Sequence, residues 1–343
     1  MTTRARFIST GSAFPERVIT NDDLKQWMDT SDEWIRIRCG IRERRVAAPG
    51  EATSDLMARA GKIAMERAGW APDSVDMVLA CTSTPDYLLF PSTACLVQKK
   101  LGIKGGFAFD MNAACSGFAY GVSVANNYIR VGEAKRVLLL GGDVMSRYLD
   151  LRDRSTGIIF GDGAGAACLE ADDTGRGVHA THLVAMGEHE DLLKVPVGGS
   201  AQPGVAPYAA RTTDDPDWSD YSDEAPDPTC IRMSGREVFR HAVGSLAQVT
   251  KTVIEKAGIT TEDVSWVVPH QANLRIIDAV RKKLKLDPER IAINLDRYGN
   301  TSAGTIPTAL NDLLEAGKIE PGQWIILVAF GAGLTYGAAA VRW

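Results

Sequence analysis

The chain has 343 residues, of which 45% are hydrophobic and 24% charged, and these proportions favour a globular protein over a disordered or fibrous one. Its net charge of -5 argues against nucleic acid as the main partner. The sequence contains neither an apolar run of membrane-spanning length nor an apolar segment at its start, so we expect a cytoplasmic protein without a membrane partner.

The predicted elements occur twice along the chain. The segment "AMERAGWAPDSVDMVLA" (64–80) aligns with "VIEKAGITTEDVSWVVP" (253–269), at an offset of 189. Each predicts the end of an amphipathic helix, a polar turn and a buried strand. Further on, "VLLLGG" (137–142) aligns with "IILVAFG" (325–331) at an offset of 188, and two shorter matches keep the same order. Four ordered matches predict a duplicated α/β unit.

Each predicted unit runs strand, helix, strand, helix, strand, strand. The apolar runs are continuous, which is typical of central strands covered by helices on both faces. Two stacked units predict an α/β fold with five layers in the order α-β-α-β-α. We expect an N-terminal half at 1–175 and a C-terminal half at 176–343. The Pro-, Gly- and Asp-rich stretch 198–230 predicts a long loop, either a solvated excursion or a flap over a substrate tunnel.

One of the six cysteines has a distinctive setting. Cys115 lies in "NAACSGFAYG" (112–121), among small residues at the predicted start of a buried helix. Unpaired N–H groups and the helix dipole at that position favour a thiolate, so we expect a lowered pKa and a nucleophilic sulfur. The alternative is a small core residue, as free cysteines usually are. The cysteines form no CxxC pair, which disfavours a zinc site or a disulfide framework.

The duplication brings two distant polar residues toward Cys115. His270 ends the second-unit strand, at the position that Cys81 occupies in the first unit. Asn300, in "GNTSAG" (299–304), opens the helix that matches the one after Cys115. Each has a plain structural alternative, a hydrogen-bonded core histidine and a helix N-cap respectively. Their joint placement predicts a site assembled at strand ends and helix starts.

Four motifs, "AACSGF", "VPHQANLRI", "GNTSAG" and "FGAGLTYG", resemble 3-oxoacyl-[acyl-carrier-protein] synthase III, the initiating condensing enzyme of bacterial fatty-acid synthesis. The likeness runs almost end to end and includes "TSDEWIRIRCGIRERR" (30–45). It implies the thiolase fold, an acyltransferase (EC 2.3.1 class) and a homodimer. It also implies that acyl-CoA and malonyl-acyl carrier protein are the substrates, and that neither a metal nor a redox cofactor is needed.

The resemblance also assigns roles to residues. It implies that Cys115 accepts the acyl group, that His270 and Asn300 complete the catalytic set, and that the backbone N–H groups of Cys115 and Ala332 form an oxyanion hole. The implied contacts to coenzyme A are Trp34, Arg38 and Arg154. The implied contacts to the acyl carrier protein are Arg275, Lys282 and Lys283. Phe90 is implied to enter the acyl pocket of the partner subunit.

The implied reaction is transfer of a short acyl group to Cys115, followed by decarboxylative condensation with malonyl-acyl carrier protein. Two alternatives stay open: a related acyltransferase or starter-unit enzyme of polyketide or secondary metabolism, and a non-catalytic dimerisation partner. The sequence leaves the acyl chain length open. "TPDYLLFPS" is one residue longer around Leu88–Phe90 than the family form, and Tyr336 stands where Trp is frequent.

Overall fold

The computed structural model describes residues 3–201 and 227–343. Most of the loop expected at 198–230 therefore lies outside the described residues. The helices are α1 Asp32–Cys39, α2 Thr53–Ala68, α3 Thr93–Leu101, α4 Gly117–Arg130, α5 Gly235–Ala257, α6 Leu274–Leu284, α7 Leu295–Tyr298 and α8 Thr305–Glu315. The strands are β1 Arg4–Ala13, β2 Arg17–Thr20, β3 Glu43–Val46, β4 Met77–Cys81, β5 Phe107–Met111, β6 Arg136–Asp143, β7 Gly163–Asp172, β8 Gly177–Ala185, β9 Leu193–Lys194, β10 Arg232–Met233, β11 Val264–Pro269, β12 Trp324–Gly331 and β13 Thr335–Arg342.

Two sheets organise the described chain. The first has the strand order β1-β7-β6-β4-β5, and the second has the order β11-β12-β13-β8. Strand β4 runs parallel to both β5 and β6, and every one of its residues is buried, as its continuous apolar run predicts. Strand β12 is the counterpart of β6, because each pairs antiparallel with the long strand that follows it in its sheet. The boundary proposed between residues 175 and 176 falls between β7 and β8.

The helices form three layers around these sheets. Helices α4 and α8 contact strands of both sheets and lie between them. Helices α2 and α3 cover the outer face of the first sheet, and α5 packs on the outer face of the second sheet with α6 against it. Apolar clusters fill each interface between layers. The predicted α-β-α-β-α order and the thiolase fold class are therefore confirmed.

The second unit differs from the prediction at one edge. The run "WVVP" was expected in a central strand, but β11 stands at the edge of its four-stranded sheet. Where the first unit has strand β5, the second unit has an isolated parallel bridge between Val267 and Ile291. The backbone N–H of Ala292 donates to the carbonyl of Val267 at 2.9 Å, so this short segment still covers the strand. Burial of Val267 and Val268 by helices explains their apolar character without a central position.

No helix in the described part of the chain is long and apolar enough to cross a membrane.

Candidate active site

Cys115 lies in a 3₁₀ turn, Ala114–Ser116, immediately before α4. Ala114 has φ of 48°, a left-handed conformation that a non-glycine residue adopts only when its surroundings impose it. The turn packs against the end of β12, where a Cβ on Gly331 would come within 2.8 Å of the backbone nitrogen of Cys115. Only glycine fits at position 331. Because Ala332 follows Gly331, the two N–H groups predicted as oxyanion donors, those of Cys115 and Ala332, lie on backbone segments that are packed side by side.

The prediction that the pKa of Cys115 is lowered was wrong. Burial raises the pKa of the thiol to about 12, because the thiolate loses its hydration. A hydrogen bond with the Ser302 hydroxyl lowers the pKa, and the nearby negative charge of Asp143 raises it. The sequence located the helix start correctly, but it did not reveal how completely the sulfur is enclosed. A pKa this high keeps the sulfur protonated at pH 7, so an attack by Cys115 on a substrate would require loss of its proton.

His270 follows directly after β11, as predicted. Its backbone N–H donates to the carbonyl of Val328 in β12 at 2.8 Å, which fixes the residue at the sheet edge facing α8. Its ring nitrogen Nδ1 lies 2.6 Å from Oγ1 of Thr305. Burial lowers the pKa of His270 to about 3, so the imidazole is neutral at pH 7.

Asn300 precedes α8 and is buried. Its backbone N–H donates to the carbonyl of Ile159 at 2.9 Å, and its own carbonyl accepts from Gly161 at 3.1 Å. Its side-chain Oδ1 accepts from the N–H of Ser302 at 2.8 Å. Because Oδ1 is held in this way, the amide NH₂ is the end of the side chain that can donate to a substrate. Asn300 is therefore oriented by its own turn and is not the N-cap of α8.

Ser302 links the three predicted catalytic residues, and sequence reasoning missed it. Its N–H donates to Asn300, and its hydroxyl lowers the pKa of the Cys115 thiol, whose turn packs against its own. Its carbonyl oxygen lies 3.0 Å from the Thr305 hydroxyl, which also contacts His270. Ser302 also has a left-handed φ of 52°. A signal was available, because the offset of 188 pairs Ser302 with Ala114, next to Cys115.

A buried carboxylate supports the Ser302 turn. Asp143 ends β6 and has no exposed surface. Its Oδ1 accepts from the hydroxyls of Thr82 and Thr84 and from the N–H groups of Ser83 and Thr84, at 2.7–2.9 Å. Its Oδ2 accepts from the N–H of Ala303 at 3.3 Å. Burial raises the pKa of Asp143, and a hydrogen bond with the Ser302 hydroxyl lowers it. This carboxylate joins the end of the first sheet to the start of α8.

The three residues predicted to bind coenzyme A lie together. The guanidinium carbons of Arg154 and Arg38 are 4.2 Å and 5.3 Å from the centre of the Trp34 ring. They line a cavity of about 660 Å³ that also includes Arg236 and Arg275. Four arginines beside a flat aromatic ring suit a ligand that carries phosphates and a planar base.

The predicted carrier-protein contacts are spread over α6. Arg275, at its start, lines the Trp34 cavity, and its guanidinium carbon lies 5.9 Å from the centre of the Phe239 ring. Lys282 forms an ion pair, at 2.7 Å, with Asp278 on the preceding turn of α6. Lys283 is exposed. Arg275 therefore lies at the cavity that Trp34 lines, while the two lysines lie further along the helix.

Phe90 lies outside this cluster. Its side chain is 79% exposed, next to Leu89 at 84%, in a segment that points away from its own chain's core. Tyr336, the residue that stands where Trp is frequent, is buried, and its ring stacks on that of Phe330 at 5.4 Å between centres. Within the described residues, no group of three or more His, Cys, Asp or Glu side chains is arranged to hold a metal ion.

Comparisons with known proteins agree with this geometry. The model "3-Oxoacyl-[acyl-carrier-protein (ACP)] synthase III" matches residues 109–187, and the model of that family's C-terminal part matches residues 254–343. The beta-ketoacyl-[acyl-carrier-protein] synthase III of Rhizorhabdus wittichii is 46% identical over 99% of both chains. That of Xanthomonas campestris is 44% identical over 99% of this chain and 98% of its own.

Solved structures give the same result. The 3-oxoacyl-[acyl-carrier-protein] synthase III of Aquifex aeolicus has a TM-score of 0.87 at 41% identity, covering 99% of this chain and all of its own. The priming beta-ketosynthase of the R1128 polyketide pathway has the same TM-score at 30% identity, covering 99% and 96%. The close sequence likeness over nearly the whole length and the matching fold show that this chain belongs to the 3-oxoacyl-[acyl-carrier-protein] synthase III family of condensing acyltransferases.

Proposed function

We propose that the chain transfers a short acyl group from acyl-CoA to Cys115 and condenses it with malonyl-acyl carrier protein, as the first condensation of fatty-acid synthesis. The observation that carries the proposal is the Ser302 turn. It hydrogen-bonds to Asn300, packs against the Cys115 turn, and is joined through Thr305 to His270. A nucleophile and two neutral donors are thereby linked in one buried site, which is what a two-step acyl transfer requires.

In the first step the sulfur of Cys115 attacks the thioester carbon of acyl-CoA. The carbon–sulfur bond to CoA breaks, the Cys115 proton is released, and the CoA sulfur leaves and takes up a proton. The negative charge on the thioester oxygen is stabilised by the N–H groups of Cys115 and Ala332. Their spacing is set by the close approach of Gly331 to Cys115.

In the second step the malonyl carboxylate leaves as CO₂, and negative charge develops on the malonyl thioester oxygen. His270 and Asn300 donate hydrogen bonds to that oxygen. Burial keeps His270 neutral, so the site offers dipoles without a competing charge. The carbanion then attacks the acyl carbon on Cys115, and the sulfur leaves and regains a proton.

We propose that the arginine-lined cavity binds coenzyme A through Trp34, Arg38 and Arg154. The ring of Trp34 lies beside two guanidinium groups, so it provides a flat face and positive charge together. Arg275 lines the same cavity and begins α6, so an acidic carrier protein that contacts α6 would deliver its acyl arm into that cavity. Lys282 and Lys283 extend this basic face of α6.

We propose that two copies of the chain form a homodimer in the cytoplasm. Strand β5 stands at the edge of the first sheet in the described chain, and an exposed edge strand can pair with a second copy. The rings of Phe107 and Phe109 stack on this edge strand at 6.5 Å between centres, and the hydrophobic residues at 87–90 are also exposed. A partner subunit would cover this aromatic surface and receive Phe90 at its acyl pocket.

A second candidate is a starter-unit enzyme of polyketide synthesis, because the priming ketosynthase shares the fold at 30% identity. The experiment that tests the proposal uses a panel of acetyl-CoA and of longer and branched acyl-CoAs. Intact mass and peptide mapping locate the adduct, with Cys115→Ala as the control. Malonyl-acyl carrier protein is then added. An adduct on Cys115 that is converted to 3-oxoacyl product supports the proposal. A wild-type protein that forms no adduct, or an adduct that persists in Cys115→Ala, overturns it.

A further inference from the structure

Thr305 makes a short contact with His270. The hydroxyl Oγ1 lies 2.6 Å from Nδ1 of the imidazole, and both side chains are buried. Because Nδ1 is engaged with Thr305, Nε2 is the ring nitrogen that can meet a substrate. The same hydroxyl lies 3.0 Å from the carbonyl of Ser302, so it connects the histidine to the turn that binds Cys115 and Asn300.

The N-terminal half provides an internal comparison for this contact. The repeat offsets pair His270 with Cys81 and Thr305 with Gly117. The two pairs occupy the same place in their units, because a Cβ on Gly117 would lie 3.1 Å from the Cβ of Cys81. The first unit therefore has a small residue beside a cysteine, and the second has a hydroxyl beside a histidine. The hydroxyl occurs only in the half that carries the donor imidazole.

The direction in which the Thr305 hydroxyl donates determines which ring nitrogen of His270 carries the proton. Burial keeps His270 neutral, so its ring carries one proton on either Nδ1 or Nε2. Thr305 also has one proton and two neighbouring acceptors, Nδ1 and the carbonyl of Ser302. If Thr305 donates to Nδ1, the ring proton is on Nε2. If Thr305 donates to Ser302, Nδ1 carries the ring proton and Nε2 has a bare lone pair.

We propose that Thr305 is a positioning residue whose hydroxyl donates to Nδ1 of His270 and so keeps the ring proton on Nε2. The contact with Nδ1 is the shorter of the two, and the Ser302 carbonyl keeps a hydrogen-bond partner in the backbone N–H of Thr305 when the hydroxyl donates elsewhere. This inference rests on the proposed function, because only decarboxylation needs Nε2–H as a donor to the malonyl thioester oxygen.

The first test reads the tautomer directly. The chain has five histidines, so protein labelled with ¹⁵N-histidine gives few ring signals, and His270→Gln assigns the signal of interest by its loss. We expect a protonated Nε2 and an unprotonated Nδ1 in the wild-type protein and in Thr305→Ser. In Thr305→Val, which has the same shape without the hydroxyl, we expect a larger share of Nδ1–H. A wild-type spectrum with protonated Nδ1 overturns the proposal.

The second test separates the two half-reactions. We expect Thr305→Val to lower kcat for condensation with malonyl-acyl carrier protein about tenfold, while acylation of Cys115 by acyl-CoA changes less than about twofold. Thr305→Ser should restore condensation. Thr308→Val is the matched control, because Thr308 is a buried threonine one turn later whose hydroxyl donates to the Thr305 carbonyl at 3.1 Å. It should behave as wild type.

The outcomes distinguish this inference from the proposed function. If the wild-type protein forms the Cys115 adduct and condenses it, but Thr305→Val leaves both the tautomer and condensation unchanged, only the role of Thr305 fails. If the wild-type protein gives no condensation product, the proposed function fails, whatever the spectrum shows.

Discussion

Asn112 and Asn300 make the same hydrogen bond in the two halves of the protein. Each side-chain Oδ1 accepts from the backbone N–H two residues later, at 3.0 Å and 2.8 Å. Those later residues, Ala114 and Ser302, share a left-handed φ of 48° and 52°. The repeat thus preserves an unusual turn, and one copy holds Cys115 while the other holds Asn300.

Strands β6 and β12 pack against these two turns, and they differ in their last residue. Strand β6 ends in Asp143, whose carboxylate binds the turn of the second half, and the equivalent position at the end of β12 is Gly331. The absence of a side chain at Gly331 lets the backbone pack against Cys115. The pseudo-symmetric pair therefore has one position that is filled by a carboxylate and one that must remain small.

We predict that Gly331→Ala displaces the Cys115 turn. The new Cβ would lie 2.8 Å and 2.9 Å from the backbone nitrogens of Cys115 and Ser116, and backbone atoms cannot move aside cheaply. We expect a loss of about 1–3 kcal/mol in unfolding free energy and slower acylation of Cys115. The control is Gly244→Ala in α5, where a Cβ meets nothing within 4 Å. Equal stability of the two variants would contradict the prediction.

We predict that Asp143→Asn impairs condensation as well as stability. An amide cannot accept from both sets of donors, so it would turn its NH₂ toward N–H or O–H groups at one end. We expect a loss of about 2 kcal/mol and a marked fall in condensation, measured by chemical denaturation and product formation. Asp76→Asn is the control, because Asp76 accepts two N–H bonds at the opposite ends of β4 and β6. It should keep both stability and condensation, because both N–H groups donate to the same oxygen and the amide oxygen can replace it.

We predict that alkylation of Cys115 keeps accelerating at high pH. With its pKa raised to about 12, the thiolate fraction should rise about tenfold per pH unit from pH 7 to pH 10. Iodoacetamide labelling followed by peptide mapping gives the rate. Ser302→Ala should slow labelling at each pH, because the hydrogen bond with Ser302 lowers the thiol pKa. A rate that reaches a plateau below pH 8 would show that the raised pKa is wrong.

We predict that His270 makes the fold less stable in acid. Its pKa is about 3 in the folded protein and near 6.5 when unfolded, so the unfolded chain binds more protons between these values. Stability from this group is intact above pH 6.5 and falls as the pH drops toward 3. Between pH 7 and pH 4.5 the wild-type protein should lose about 2–3 kcal/mol more than His270→Gln. Parallel stability curves for the two proteins would refute this.

We predict that Trp34→Ala raises KM for acyl-CoA with little change in kcat. The ring contacts two arginines in the cavity and touches no group that we place in the chemistry, so its loss weakens ground-state binding. An increase of about tenfold is expected from loss of the flat ring face on which a planar base can stack. Trp266→Ala is the control, since Trp266 has a similar contact with Lys318, at 5.9 Å, outside this cavity. A similar change of KM in both variants would contradict the binding of coenzyme A in this cavity.

Much of the fold could be predicted, because the two units repeat in sequence. The continuous apolar runs marked β4, β6 and β12, and the offset of 188 placed the turns at Cys115 and Ser302 in register. The edge position of β11 could not be predicted, because burial by helices gives a strand the same apolar composition at an edge as at the centre.

Some residues of the candidate site could be predicted from the sequence and others could not. Cys115, His270 and Asn300 were indicated by residue type at strand ends and helix starts. Ser302 and Thr305 were passed over, because serine and threonine are common in helix-start turns for capping alone. Asp143 was missed because it reads as the polar end of a buried strand, and its partners come from other segments.

The sequence by itself determined the duplication, the five-layer order and the candidate residues of the site, because these depend on periodicity and residue type along the chain. Tertiary structure decided the electrostatics. Whether Cys115 is a thiol, whether His270 is charged and which atom of Asn300 faces a substrate depend on burial and on partners far away in the chain. Desolvation acts through the whole surrounding volume, and no local stretch of sequence contains that information.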